Sequence, residues 1–521
     1  MRHTTTTSES RGSSRQAIAT WTALAVAGVA VLACELALHG RDLPLGVPGQ
    51  WAWERLPVER VTPWAAQGIA LFLALLLAAW TAWGLNWIEG TSRRVWLASI
   101  GCTTLLVAAF QIEAESVAPK GLYKWATALY HEQISGPYWV ARHEVGSVDS
   151  LLRHYNRFLA AHRPDHISTH PPGWFISYRV LLNWFDAHPG TALRICRIAP
   201  NDMTLAFDHI ERAGGLLIPP ADRATITVAA LGSRAVAALV VLPIAWLVRR
   251  RGSRSAAWVA AAVAGLVPAG ILFAPRSDTV YPTVAALTLA VVSHAVGARS
   301  TLSAAFAGLL LFLGMFTSLV FAAVAAFAGV YALLEIVAGR SQASSDATFS
   351  FPTRHGGLCR LAGAAAAGWL VGPLVLHLGW GHNVFQTWSI NLAKNAEFYQ
   401  HMNRTYSYWV CVNLIELAVA LGLPAAVLLA VGASSELRAI ARRTRFDALL
   451  VSWLVVVLLL NFSGKNLGEV ARLWLFLMPL GVALAAQPLT ELPRRRGIAV
   501  AVFVVLQALA CLVLSRDLTV L

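Results

Sequence analysis

The chain has 521 residues, of which 57% are hydrophobic and only 13% charged, and its formal net charge is +14. Its apolar residues come in runs of about 20, which excludes a soluble globular chain, where polar and apolar residues would alternate. The positive charge sits in arginine clusters between apolar runs, a distribution that orients membrane helices and gives no reason to expect nucleic acid as a partner.

Residues 1–16 read as a polar, basic cytoplasmic tail leading into a retained helix, since no signal-peptidase site follows the first apolar run. Apolar runs predict spans near 17–38, 63–88, 95–113, 224–248, 255–274, 279–297, 301–317, 319–338, 361–379, 407–431, 447–461, 472–488 and 497–515. With the N-terminus inside, Arg93-Arg94, Arg249-Arg250-Arg251 with Arg254, Arg299, the arginines of 340–360 and of 438–445, and Arg494-Arg495-Arg496 all fall on the cytoplasmic side. The predicted fold class is therefore an all-α polytopic membrane protein with about thirteen transmembrane helices. A large extracytoplasmic loop, 114–223, should carry short interfacial helices.

Segment 173–185 is too short to span and reads as re-entrant or interfacial. The Ser-rich stretch 341–350 reads as a cytoplasmic linker. Domain boundaries follow: a tail at 1–16, two helices in 17–94, a core in 95–338, a linker at 339–360 and a C-terminal helical part in 361–521. The last part has outer loops at 380–406 and 461–472. The six cysteines, Cys34, Cys102, Cys196, Cys359, Cys411 and Cys511, contain no CxxC pair and read as small core residues.

Candidate chemistry gathers in the polar outer segments. Glu113, Glu115, Glu144 and Asp149 are candidate general bases, since a carboxylate fixed at the dry mouth of a helix bundle can take a proton from a hydroxyl. Seven histidines fall within 131–188, with His162, His166 and His170 spaced by four, but Pro164 interrupts a regular helix and no ligand spacing is completed. No metal site is assigned there. His170-Pro171-Pro172-Gly173 is a stiff, extended tetrapeptide that predicts a helix start at Trp174, an arrangement suited to an anion.

Arg234 lies within a predicted span and should face the bundle interior or a polar cavity. Asp278 sits in a tight turn after Pro275-Arg276-Ser277. Lys465, Glu469 and Arg472 form the last cluster, in which Glu469 can hold the Arg472 guanidinium from the same helix face and leave donors for a phosphate.

In this order the motifs resemble the GT-C class of integral membrane glycosyltransferases, which includes protein O-mannosyltransferases and the lipid A aminoarabinose transferase. An acid-bearing first loop ending in His170-Pro171-Pro172-Gly173 is similar to the family's HPPL or HPPG element. The series Arg234, Pro268, Asp278 and the late group Glu469, Arg472, Pro479 follow, so the resemblance covers roughly 95–490. Glu113-Ala114-Glu115 stands where the family has an Asp-Glu pair, and two N-terminal spans and the insertion 186–223 are extra.

The resemblance implies transfer of a sugar from a polyprenyl-phosphate donor to a hydroxyl acceptor (glycan, membrane lipid or protein) at the outer face of the plasma membrane, possible divalent-cation use included. Glu115, Asp149, Glu144 or Glu113 would be the base, with Arg472, Lys465 and His170 facing the lipid phosphate and Asp278 and Glu469 completing the binding site. No GxxxxGK loop is present, in keeping with a lipid-linked donor. The alternative is a secondary transporter or lipid-carrier flippase, which would also be polytopic with charge within the membrane.

Overall fold

The computed structural model of the chain describes residues 5–40, 45–56, 64–163, 167–343, 354–400, 402–442, 444, 446–493 and 495–519. Pro164, His166, residues 344–350 of the Ser-rich stretch and several arginines of the basic connections lie outside them. The chain is a multi-pass, almost entirely helical membrane protein. Among the described residues nine helices are long and apolar enough to cross a membrane: Ala17–His39, Trp64–Gly84, Arg93–Ser116, Pro220–Arg251, Arg254–Leu272, Ser277–Ala298, Gly357–Trp380, Leu423–Ala441 and Arg496–Asp517. Five apolar helices are shorter, at Thr301–Thr317, Phe321–Val337, Tyr406–Leu421, Ala448–Phe462 and Leu475–Thr490. Among the described residues strand is confined to two antiparallel pairs, Gly46–Val47 with Trp51–Ala52, and Glu54–Arg55 with Leu518–Thr519.

Lipid tails are as apolar as leucine, so close packing rather than water exclusion holds such helices together, and small residues set how near they approach. The Ala-rich Arg254–Leu272 segment is 89% buried, against 17% for Gly357–Trp380, which places the first at the centre of the bundle and the second at its edge. Trp258 from the central helix lies against Gly84, where a Cβ would come within 2.5 Å of the indole, and its Nε1 donates to the Thr81 carbonyl. Gly308 and Gly368 bring the Thr301–Thr317 and Arg354–Trp380 helices into backbone contact, since a Cβ at either would meet a carbonyl oxygen of the other helix at 1.9 Å.

Four predicted spans are interrupted: 224–248 divides into Pro220–Ala238 and Val241–Arg251, 472–488 runs through short turns into Met478–Thr490, and two further breaks lie deeper in the bundle. The predicted span 407–431 is corrected to two helices, Tyr406–Leu421 and Leu423–Ala441, parted at Gly422 with φ +100°. Pro424 cannot donate a backbone hydrogen bond and Gly422 admits the left-handed turn, but both sit inside an unbroken apolar run. The central segment also breaks after Ala264 and resumes at Pro268. Backbone groups freed in a bilayer need protein partners. Gln507 supplies them at both places: its Nε2 lies 2.7 Å from the carbonyls of Leu266 and Leu421, and its Oε1 accepts from Ala425 N. Gln111 Nε2 donates to Gly265 O at 3.0 Å.

The reading of the cysteines as core residues is corrected. Cys511 alone of the six is buried, while Cys102, Cys359 and Cys411 are exposed on apolar helices. A bilayer accepts a small weakly polar side chain on the outward face as readily as the core does.

Between Ser116 and Pro220 come six short helices, Tyr123–Tyr130, Pro137–His143, Val148–Ala161, Gly173–Ala187, Pro189–Ile198 and Asn201–Gly214, none of them a candidate span. Local signals delimit them: Pro137 and Pro189 open helices, the Ser147 hydroxyl accepts from Ser150 N, and Gly215 closes the last in the left-handed conformation. Their inner faces form two small cores, one around Trp125, Tyr138, Leu182 and Phe207, the other around Val140, Tyr155, Leu159 and Phe175. The layer packs on Pro220–Ala238 and thereby sets Tyr123–Tyr130 against the end of the bundle where Arg93–Ser116 finishes.

Candidate functional site

At that end of the bundle the remote charges of the sequence come together. Glu115, in the last turn of Arg93–Ser116, is fully buried, and its two oxygens are both engaged. Oε1 accepts from Arg234 Nη1 at 2.8 Å and Oε2 from Trp125 Nε1 at 2.5 Å. Arg234, 3% exposed, also donates to Gly270 O at 3.2 Å. A carboxylate so enclosed serves as a counter-ion and is badly placed to take a proton from an incoming hydroxyl.

Lys124 is the residue before Trp125. Its ammonium donates to the carbonyls of Ile271 (2.9 Å) and Leu272 (3.3 Å), at the end of the Pro268–Leu272 helix. Burial pushes it down to about 8, and the charges of Arg234 and Arg276 push the same way against Glu115. The chain then turns through Ala274-Pro275-Arg276 into the short 3₁₀ turn Ser277–Thr279, which packs on Leu475–Leu477. Burial likewise lowers Arg276 to about 10, with the charge of Arg472 adding to the effect and Asp278 and Glu469 opposing it.

Arg472 belongs to the one-turn helix Val470–Leu473, and the residue before that helix, Glu469, has φ +57°. Asn413 fixes this bend, its Nδ2 donating to Asn466 O at 2.9 Å and its Oδ1 accepting from Gly468 N at 3.1 Å. Glu469 bridges two guanidiniums, Arg472 at 3.0 Å and Arg404 at 3.4 Å. Arg404 is held in turn by Leu467 O and by the faces of Trp409 and Trp51. Tyr399, from the Val384–Gln400 helix, lies within reach of Glu469, Arg404 and Arg472, and its hydroxyl is raised, chiefly by burial. Backbone strain at a residue that orients a guanidinium is common at functional sites.

Asp278 differs from these carboxylates. It is half-buried, lies within Coulombic reach of both Arg276 and Arg472, and among the described residues makes no ion pair or side-chain hydrogen bond. A carboxylate with no pinned hydrogen-bond partner can still accept one from an incoming hydroxyl.

Gly173 opens the helix Gly173–Ala187 one residue earlier than predicted, and a Cβ there would meet Phe316 O at 2.5 Å. The predicted anion position at this helix start is thus packed against the end of Thr301–Thr317. The segment reaches the cluster by another route, since Trp174 Nε1 donates to Tyr281 OH at 2.9 Å, one turn beyond Asp278. His170 is gripped by its carbonyl, which accepts from Tyr155 OH at 2.7 Å and Asn391 Nδ2 at 3.1 Å, and its ring lies by Thr169 Oγ1.

The structure therefore brings Glu115, Asp278, Glu469 and Arg472 together, with Arg234 beside them. Four predicted residues stand apart. Asp149 is exposed and paired with Arg153 at 2.9 Å. Glu144 pairs with His162 at 3.0 Å. Glu113 faces the opposite side of its helix and lines a shallow depression with Lys120, Asp202, His209 and Arg212. Lys465 is exposed on the turn after Gly464. Sequence reasoning gave no role to Lys124, Arg404 and Tyr399; the signal for Arg404 is its position just ahead of the aromatic run Tyr406, Tyr408, Trp409.

Arg234, Lys124, Arg276, Arg404 and Arg472 outnumber Glu115, Asp278 and Glu469, so the cluster suits an anion better than a cation. For the divalent cation admitted from the sequence it offers no fitting donor set among the described residues. Glu35, His39 and Asp517 do come within 4.8 Å of one another elsewhere, but Arg516 already pairs with both carboxylates. Comparison with protein-family models, curated proteins and solved structures finds no match for this chain.

Proposed function

We propose that this protein is a GT-C-like glycosyltransferase that moves a sugar from a polyprenyl-phosphate donor to a hydroxyl acceptor on a glycan, lipid or protein. The observation that supports it most is the convergence of Arg276 and Arg472 on one unpinned carboxylate, Asp278, beneath the helix opened by His170-Pro171-Pro172-Gly173. In this reading the acceptor oxygen attacks the anomeric carbon while the bond from that carbon to the phosphate oxygen breaks. The hydroxyl proton goes to Asp278, and the electron pair leaves with the lipid phosphate, facing Arg472 and Arg276. The base moves from the first-loop acids to Asp278, because Glu115 is sealed by Arg234 and Trp125, Glu144 and Asp149 are paired elsewhere, and Glu113 faces a separate hollow on the far side of its helix. In this reading the cluster faces the outer side of the membrane, opposite the arginine-rich connections that the positive-inside rule assigns to the cytoplasm. The test is incubation of the purified chain with synthetic prenyl-phosphate sugars and hydroxyl acceptors, read by mass spectrometry of the acceptor. Absence of any glycosylated acceptor across the sugar series would overturn the assignment.

One observation favours the second reading, a secondary transporter or lipid-carrier flippase: core helices are broken, among other places after Ala264 and at Gly422. Transporters use such breaks to bind ions or substrate. Here Gln507, a neutral amide, occupies these two. Movement of a labelled prenyl-phosphate sugar across a vesicle membrane, without chemical change, would favour transport.

A further inference from the structure

A cavity of about 140 Å³, roughly the volume of five waters, lies between the Ala118–Lys124 segment, the Leu272–Arg276 turn and the end of the C-terminal helix. Its walls contain three basic side chains, Lys120, Lys124 and Arg276, and no acidic one. The rest is largely apolar, with Leu56, Leu272, Phe273 and Leu518. Concentrated positive charge beside an apolar wall is the complement of an amphiphile with an anionic head. Arg276 also belongs to the Asp278–Arg472 cluster, so cavity and cluster share a wall.

We infer that this cavity is a binding site for the phosphate head and first apolar carbons of a prenyl-type phosphate, with Lys124 and Lys120 completing the charge that Arg276 begins. The inference rests on the donor class proposed above and deepens it by naming where that donor's phosphate enters. Lys124 is anchored by the carbonyls of Ile271 and Leu272, so its charge is fixed in direction and needs little reorganisation when an anion arrives. Around it, Glu115 attracts and Arg234 and Arg276 repel the ammonium, while Lys120 and Tyr123 share its own segment. An entering phosphate relieves the repulsion.

The test is equilibrium binding of radiolabelled farnesyl phosphate to the full chain in phosphatidylcholine nanodiscs, counted above protein-free discs and competed with farnesol or inorganic phosphate. Unlabelled farnesyl phosphate should displace the label, inorganic phosphate only at much higher concentration, and farnesol not at all. Competition by farnesol as strong as by farnesyl phosphate would mean an apolar groove and overturn the site. Lys124→Gln should weaken binding by roughly 10- to 150-fold, the loss expected for a charge-assisted bond. Because that variant alters a buried group, wild-type binding is also compared at pH 7 and pH 9.5, where loss of the Lys124 proton should weaken it although the phosphate stays charged. Equal or tighter binding at pH 9.5 overturns the site. No sugar is present in these measurements. Binding that depends on Lys124 without sugar transfer would keep the site and remove the transferase reading, and transfer with binding indifferent to Lys124 would do the reverse.

Discussion

Glu115 and Arg234, 119 residues apart in the chain, meet at 2.8 Å with 0% and 3% of their side chains exposed. Breaking a buried pair by removing one partner leaves an uncompensated charge, at a cost of about 3–5 kcal/mol. Glu115→Gln and Arg234→Gln should each lower the detergent melting temperature sharply, and the double variant should recover part of the loss. Purely additive losses in this cycle would show that the pair is not coupled.

Asp278→Asn should behave oppositely, leaving the melting temperature near wild type and reducing transfer by about 10²- to 10⁴-fold, the usual contribution of a positioned base. Glu113→Gln, Glu144→Gln and Asp149→Asn should retain near wild-type transfer, since each lies outside the cluster. Initial rates of acceptor glycosylation, normalised to folded protein, separate these outcomes. Full activity in Asp278→Asn would return the base to another acid.

Arg472 receives its orientation from Glu469, and a planar fork can meet two phosphate oxygens where an ammonium meets them as a point charge. Arg472→Lys is therefore expected to be poorly active, and Arg472→Ala to lose roughly 10- to 150-fold in donor use, by about 1.5–3 kcal/mol. Glu469→Gln should weaken donor use less, as it frees two guanidiniums without removing either. Donor affinity and turnover measured together check the series; normal donor use by Arg472→Ala would leave that residue a structural role.

Lys124 gives the ligand-free protein a pH dependence of definite sign. Its folded value of about 8 lies below the ordinary 10.5, so between these limits the unfolded chain binds more protons and stability rises with pH. Below about pH 8 folded and unfolded chains both hold the proton, so the cost of the buried charge is constant there. Melting curves from pH 7 to 10 should show this rise in the wild type and lose it in Lys124→Gln; identical slopes would place the titration elsewhere.

Gly173→Ala should destabilise the contact between the Gly173–Ala187 helix and Phe316-Thr317, by about 1–3 kcal/mol as for other overpacked positions. The loss should appear as a lower melting temperature together with weaker transfer, because Trp174 links that helix to Tyr281. An unchanged melting temperature would show that the helix shifts freely.

Much of this architecture is legible in the sequence because an apolar run of about 20 residues has few alternatives to a membrane helix. Breaks inside such runs are not legible, since Gly422 reads as one more small residue until the partner at its break, Gln507, is known. Arg234 could be recognised as a buried cation, whereas Glu115 looked like a loop carboxylate free for catalysis. Its pairing depends on two helices meeting, and no local pattern encodes that. Lys124 stands among polar residues in the sequence and becomes singular only when the Pro268–Leu272 helix end arrives over it.

Gln507 is tied at once to the carbonyls of Leu266 and Leu421. Two interruptions of the bundle thus share one fastener, to which Gln111 adds a second tie at Gly265. A change at either gap bears on the other through this amide, and the Pro268–Leu272 piece that receives Lys124 begins at one of them. The Gln507 amide thereby couples the central helix to the Tyr406–Ala441 pair at the mouth of the bundle, so the geometry of one break is set together with that of the other.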